Sequence, residues 1–312
     1  MTSSDNTRII VAKPRGFCAG VERAILCVER AIEQYGAPVY VLNNIVHNAH
    51  VVNDLREKGA IFVHSMDDVP DGAHLLFSAH GVSPERWEKA KKLNLEVIDA
   101  TCPLVEKVHH EARRFAALDY TIVLIGEAGH DETVGTMGWA PENIRLIQTV
   151  DEVAALEVEN PDHIAYITQT TLSVDDCQII IEALKEKFPG IQGPPRDDIC
   201  YATSNRQAAV NAFAGEVDLV LVVGDAESAN SGRLANIAST KGKPSYLIPD
   251  ADAIDVKWLD GVSAILLTSG ASVPESLVQD VIVFLKERGQ CTVEERELIE
   301  EDVHFRLPAV VA

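Results

Sequence analysis

The chain has 312 residues, 46% hydrophobic and 24% charged, with a formal net charge of −21. That composition allows two or three packed units and excludes a disordered or fibrous protein. The acidic excess repels nucleic acid, no apolar run nears the roughly 18 to 20 residues of a membrane span, and the N-terminus has no secretory pattern, so no nucleic acid, no membrane and a cytoplasmic location are expected.

Residues 1–17 predict an N-terminal strand segment. The chain then says much the same thing three times, over 18–101, 102–199 and 200–288, before a tail at 289–312 to which no role is assigned. Each unit opens at a cysteine: Cys18 in GFCAG, Cys102 in TCP and Cys200 in ICYAT. A helical pattern follows each one (VERAILCVERAIEQYG, LVEKVHHEARRFAAL, SNRQAAVNAFAGEV), and Pro103 suits a first helical position. Next comes a β-rich run ending in an early polar loop, which carries His47, then His130 with Asp131 and Glu132, then Ser228 with Asn230. A second helix, a short strand (AIFV, IRLI, SYLI) and a third β run lead to a late polar loop carrying His80, Thr170 and Ser272, and a last helix closes each unit. His47, His130 and Ser228 follow their cysteines at nearly equal spacing. Strands alternating with helices predict an α/β fold of three pseudo-threefold-related α/β units with mostly parallel sheets, and ligands gather at the carboxyl ends of such strands.

Three converging thiolates can hold a three-iron cluster, or a four-iron cluster with one open iron acting as a Lewis acid. A cysteine just before a helix meets backbone N–H groups and a dipole that favour thiolate. The six cysteines include no C-x-x-C pair, which argues against a zinc knuckle or a thioredoxin-like dithiol. Cys27 and Cys177 fall inside helical patterns and Cys291 near the tail, so these three are expected to be structural. The loop residues His47, His80, His130, Thr170, Ser228, Asn230 and Ser272 can surround phosphate oxygens with hydrogen-bond donors. No nucleotide-triphosphate loop and no dinucleotide fingerprint occurs. Glu132 is a candidate proton donor, because negative surroundings raise a carboxyl pKa. His109-His110-Glu111 is expected to be solvated helix surface.

At PRGFCAGVERAI, SAHGVSPE, DATCPLVEKVH, GHDETVGTMG, TQTTLSVDD, DDICYATSNRQ and TSGASVPE the sequence strongly resembles the 4-hydroxy-3-methylbut-2-enyl diphosphate reductase family, from about Arg8 to about Glu287. The resemblance implies three α/β units around one central 4Fe-4S cluster, with Cys18, Cys102 and Cys200 as its three cysteine ligands and one open iron. His47, His80, His130, Ser228, Asn230 and Ser272 would hold the allylic diphosphate, Glu132 helped by Thr170 would deliver protons, and reduced ferredoxin or flavodoxin would supply electrons. Ala229 stands where many relatives have a second serine, which removes one side-chain donor at most. Two rival readings are a non-catalytic iron–sulfur electron carrier or sensor and a cluster-free phosphohydrolase or sugar-phosphate binding protein. A carrier needs no such set of phosphate donors, and a hydrolase needs no three equivalent cysteines.

Overall fold

The computed structural model describes residues 6–312, so residues 1–5 of the expected N-terminal strand segment lie outside the described residues. In chain order β1 (Thr7–Lys13) leads to α1 (Ala19–Tyr35), β2 (Val39–Leu42), α2 (Ala49–Glu57), β3 (Ala60–Val63), β4 (His74–Phe77), α3 (Pro84–Lys92) and β5 (Glu96–Asp99). Then come α4 (Pro103–Ala117), β6 (Thr121–Ile125), α5 (Asp131–Met137), β7 (Ile144–Ile147), α6 (Val150–Ala155), β8 (Ile164–Thr168) and α7 (Val174–Lys187). The chain continues through α8 (Tyr201–Phe213), β9 (Leu219–Val223), α9 (Ala229–Thr240), β10 (Ser245–Ile248), β11 (Ala264–Ser269), α10 (Glu275–Lys286) and β12 (Cys291–Glu297).

Local chemistry sets several of these boundaries. Pro103 opens α4 directly after Cys102, where a missing N–H costs nothing. Thr149 and Glu152 form a reciprocal capping box on α6, and the Ser173 hydroxyl accepts from the Asp176 amide at the head of α7.

The strands form three sheets, β3-β2-β4-β5, β7-β6-β8 and β10-β9-β11-β1-β12, and every strand pair within them is parallel. The same order recurs in each: the strand after the cysteine-led helix lies between the two strands that follow it. The segment after Glu287 extends the third sheet, with β12 pairing along the whole of β1 from Thr7↔Cys291 to Lys13↔Glu297.

By contacts the chain forms two compact units. The first comprises the stretch ending at Cys18 together with His47–Val51 and Tyr201–His304, and holds the five-stranded sheet. Its faces sort by alternate residues. Ile9, Val11, Leu219, Leu221 and Val223 pack with Val278, Val281, Ile282 and Leu285 of α10, whereas Ile10, Ala12, Val220 and Val222 pack with Ala209, Val210 and Phe213 of α8 and Leu234 of α9. A strand covered on both faces is predominantly apolar, and β9 and β11 are buried at every residue. The second unit comprises Ala19–Val46, Val52–Cys200 and Phe305–Ala312. Its β6 repeats the pattern, sending Val123 and Ile125 toward Leu184 and Ile180 of α7 and Ile122 and Leu124 toward Val108 and Phe115 of α4. Among the described residues no helix is long and apolar enough to cross a membrane.

Candidate active site

In the first unit the loop before Cys18 is pinned to the end of β11. Gly16, at φ +70°, donates its N–H to Ser269 Oγ at 2.8 Å, and the Cys18 N–H donates to the Ala271 carbonyl at 3.1 Å. The Gly16 carbonyl accepts from Nη2 of Arg206 at 2.7 Å. Arg206 is fully buried on α8 and meets both Glu301 oxygens through Nη1, at 3.2 and 3.3 Å. Ser272, one residue beyond Ala271, donates from Oγ to the His47 carbonyl at 3.0 Å, so His47, Ser272 and the Cys18 loop are neighbours. Ser228 caps α9, its hydroxyl accepting from the Ser231 amide at 3.3 Å. Asn230 is 5% exposed, and neither atom of its side-chain amide has a hydrogen-bond partner. Leaving a buried polar group unmatched costs about 1 to 3 kcal/mol, so this amide is poised for a polar ligand.

The second unit brings together Cys102, His80, His130, Glu132, Thr170 and Cys200. The Cys102 N–H donates to the Ala79 carbonyl at 3.0 Å, which ties the head of α4 to the loop carrying His80. The His80 and His130 rings stand edge to face with centroids 5.7 Å apart. His130 caps α5, its Nδ1 accepting from the Glu132 amide at 3.1 Å, so Nε2 is the protonated nitrogen of the neutral ring. The Glu132 carboxyl, 2% exposed, accepts from the Thr170 N–H at 2.6 Å on Oε1 and from the Thr170 hydroxyl at 2.9 Å on Oε2. Burial pushes its pKa up to about 7, although both Thr170 bonds act to lower it. The neighbouring Asp131 is instead half-buried and accepts from Asn43 Nδ2 at 3.2 Å. Behind Glu132, the Thr170 carbonyl accepts from the Cys200 N–H at 3.0 Å.

One bond thus recurs three times: Cys102 and Cys200 donate their amides into the late polar loop of the repeat before their own, at Ala79 and Thr170, and Cys18, which opens the first repeat, donates into that of the third, at Ala271. The three sulfurs differ from the others in setting. Cys18, Cys102 and Cys200 are half-buried at helix starts. Cys27 and Cys177 are buried in the core, and burial pushes their thiols up to about 11 and about 12, which keeps them protonated. Cys291 is also raised by burial, and its Sγ donates to the Leu285 carbonyl. As a donor set, three half-buried cysteines at helix starts fit an iron–sulfur cluster and the remaining three do not.

The expectation that His109-His110-Glu111 is solvated holds only for His110. His109 and Glu111 are each 6% exposed. For His109 the reason is steric: Gly81, at φ +76° beside His80, lies so close to it that a Cβ there would overlap its ring. Burial holds His109 near pKa 4, a neutral spacer between α4 and the His80 loop. Asp198 is a site residue that sequence reasoning missed. Its Oδ1 accepts from Lys107 Nζ at 2.8 Å and its Oδ2 from the Thr168 amide at 3.0 Å, joining the approach to Cys200, the helix led by Cys102 and the strand leading to Thr170. A carboxylate two residues before a cysteine was the available signal. Its partners, distant in sequence, were not.

Parallel sheets with polar loops and cysteine-led helices gathered at the carboxyl ends of their strands define an α/β protein built to bind and transform a small ligand. A family model described as LytB protein matches residues 9–286, and the chain belongs to that family. It is 53% identical to a 4-hydroxy-3-methylbut-2-enyl diphosphate reductase of Leifsonia xyli subsp. xyli over 96% of this chain and 90% of the relative, and 52% identical to one from Aeromonas salmonicida over 96% and 97%. Among solved structures it is similar to the E-1-hydroxy-2-methyl-but-2-enyl-4-diphosphate reductase of Plasmodium falciparum, with a TM-score of 0.96, 40% identity and coverage of 98% of this chain and 97% of that one.

Proposed function

We propose that this chain catalyses the reductive dehydroxylation of 4-hydroxy-3-methylbut-2-enyl diphosphate to isopentenyl diphosphate and dimethylallyl diphosphate, the last step of the non-mevalonate pathway. The observation that carries the reading is the Glu132 carboxyl, buried, held by both donors of Thr170 and titrating near neutrality, in a LytB chain whose relatives are named for that reaction. The change breaks one carbon–oxygen bond, consumes two electrons and two protons and releases water, so one proton must reach carbon.

Cys18, Cys102 and Cys200, at the opening of the repeats 18–101, 102–199 and 200–288, would hold one 4Fe-4S cluster as its three cysteine ligands. When bound, the cluster supplies the reducing electrons and a Lewis-acidic iron. Reduced ferredoxin or flavodoxin in the cytoplasm is the electron source.

The chain's own residues bind the diphosphate and manage the proton. A backbone N–H can only donate, so Oε1 of Glu132 is fixed as an acceptor of the Thr170 amide and the acidic proton belongs on Oε2. There it meets the Thr170 hydroxyl, which can both accept and donate and so pass a proton on. His47, His80, His130, Ser228, Asn230 and Ser272 hold the diphosphate. His130 is suited to donate because its Nδ1 is already occupied by the Glu132 amide.

The test is an anaerobic assay of the iron- and sulfide-replete protein with a strong artificial reductant and 4-hydroxy-3-methylbut-2-enyl diphosphate. Formation of both five-carbon diphosphates is expected. A cluster-loaded protein that leaves the substrate unchanged would overturn the assignment.

A further inference from the structure

The first turn of α9 contains a hydroxyl that the diphosphate reading does not use. Ser231 is fully buried, so no ligand reaches it directly. Its side chain lies in a slot between Gly224, just beyond β9, and Gly270, just beyond β11; a Cβ on either glycine would overlap it. The slot aims the hydroxyl at Ser228. Ser231 Oγ donates to Ser228 Oγ at 3.0 Å, and the Ser231 amide donates to the same oxygen at 3.3 Å.

A serine hydroxyl has one proton to give and two lone pairs to receive with. Both lone pairs of Ser228 Oγ are taken by Ser231, so the Ser228 proton is what remains for a ligand. This asymmetry matters in a chain of net charge −21, where an anion must be met by groups that donate and do not accept. Ala229 carries no hydroxyl, so Ser228 and Ser231 are the only hydroxyls at the head of α9. The adjacent Asn230 amide, buried and without a partner, marks the same helix end as a place prepared for a polar ligand.

We propose that Ser231 is a positioning residue for anion recognition: it fills both acceptor sites of Ser228 and so commits the Ser228 hydroxyl to donate to the diphosphate. The inference rests on the diphosphate reading of Ser228 given above and adds to it the residue that sets the hydroxyl's polarity. Hydroxyl-to-hydroxyl donation also polarises the second O–H and strengthens its bond to an anion.

The experiment is a double-mutant cycle on the full-length, cluster-loaded protein under anaerobic conditions, titrating inorganic diphosphate by calorimetry into the wild type, Ser231→Ala, Ser228→Ala and the double variant. Ser231→Ala is expected to weaken binding about five- to ten-fold and to raise KM with little change in kcat. In the Ser228→Ala background the second substitution should have no further effect, because Ser231 acts through Ser228. Wild-type affinity in Ser231→Ala, or an equal further loss in the Ser228→Ala background, would overturn the inference while leaving the diphosphate site standing. A wild-type protein that fails to bind diphosphate would overturn the site and the inference with it.

Discussion

The Thr170 residue meets Glu132 twice, its amide donating to Oε1 at 2.6 Å and its hydroxyl to Oε2 at 2.9 Å, at a position where Glu132 is 2% exposed. Burial raises the pKa and the two bonds restrain the rise to about 7. As proton donor, Glu132 is competent while protonated, so kcat should fall as pH rises through about 7. Glu132→Gln should abolish that limb and lower kcat about 10²- to 10⁴-fold with cluster and affinity retained. Asp131→Asn, at a carboxylate bonded to Asn43, should cost far less. Turnover of Glu132→Gln at the wild-type rate would exclude it as the donor.

The same carboxyl has a consequence for stability. Its folded pKa is raised above the unfolded value, so the folded state holds the proton more tightly than the unfolded chain. Stability from this group is therefore greatest below the ordinary carboxylate range and falls as pH rises toward about 7. Denaturant titrations across that window should show a shallower slope in Glu132→Gln than in the wild type; identical slopes would contradict the assigned pKa.

Thr170→Val keeps the amide donor and removes the hydroxyl. Because the hydroxyl bond lowers the Glu132 pKa, its loss should move the alkaline limb of kcat to higher pH. The loss of the proton-passing hydroxyl should also reduce the plateau rate, by roughly ten-fold or more. A pH profile unchanged in both position and height would remove Thr170 from the proton path.

Replacing Cys18, Cys102 or Cys200 with Ser should in each case lower iron and sulfide content, erase visible absorption and stop turnover, because oxygen holds such a cluster less well than thiolate. Ser at Cys27, Cys177 or Cys291 should leave the iron content intact. Full iron content in the Cys102→Ser protein would refute its role as a ligand.

Arg206 is fully buried with Glu301 as its anionic partner, on a segment beyond the family match that ends at residue 286. Glu301→Gln strands a buried guanidinium and should lower stability by roughly 3 kcal/mol. Thermal unfolding would detect this as a clear fall in Tm, and an unchanged Tm would show that the ion pair contributes nothing.

By itself the sequence determined the alternation of strands and helices, the three cysteine-led openings and the polar loops at strand ends, because these are properties of short segments read through local periodicity and spacing. The β-rich runs LVLVV and AILLTS read as strands of sheets covered on both faces, and both are buried at every residue. Tertiary structure alone decided how Thr170 grips Glu132, how Asp198 joins Lys107 to Thr168, that His109 lies under Gly81 while His110 stays in solvent, and that Ser231 drops between two glycines to meet Ser228. It also decided the role of the tail, whose strand CTVEERE is mostly polar and shows its partner only when β1 lies alongside. These relationships join residues far apart in the chain, or depend on a backbone approach that only a missing Cβ permits. No local pattern carries a contact whose second partner is supplied by another strand or helix, and so they emerge only when the chain has folded.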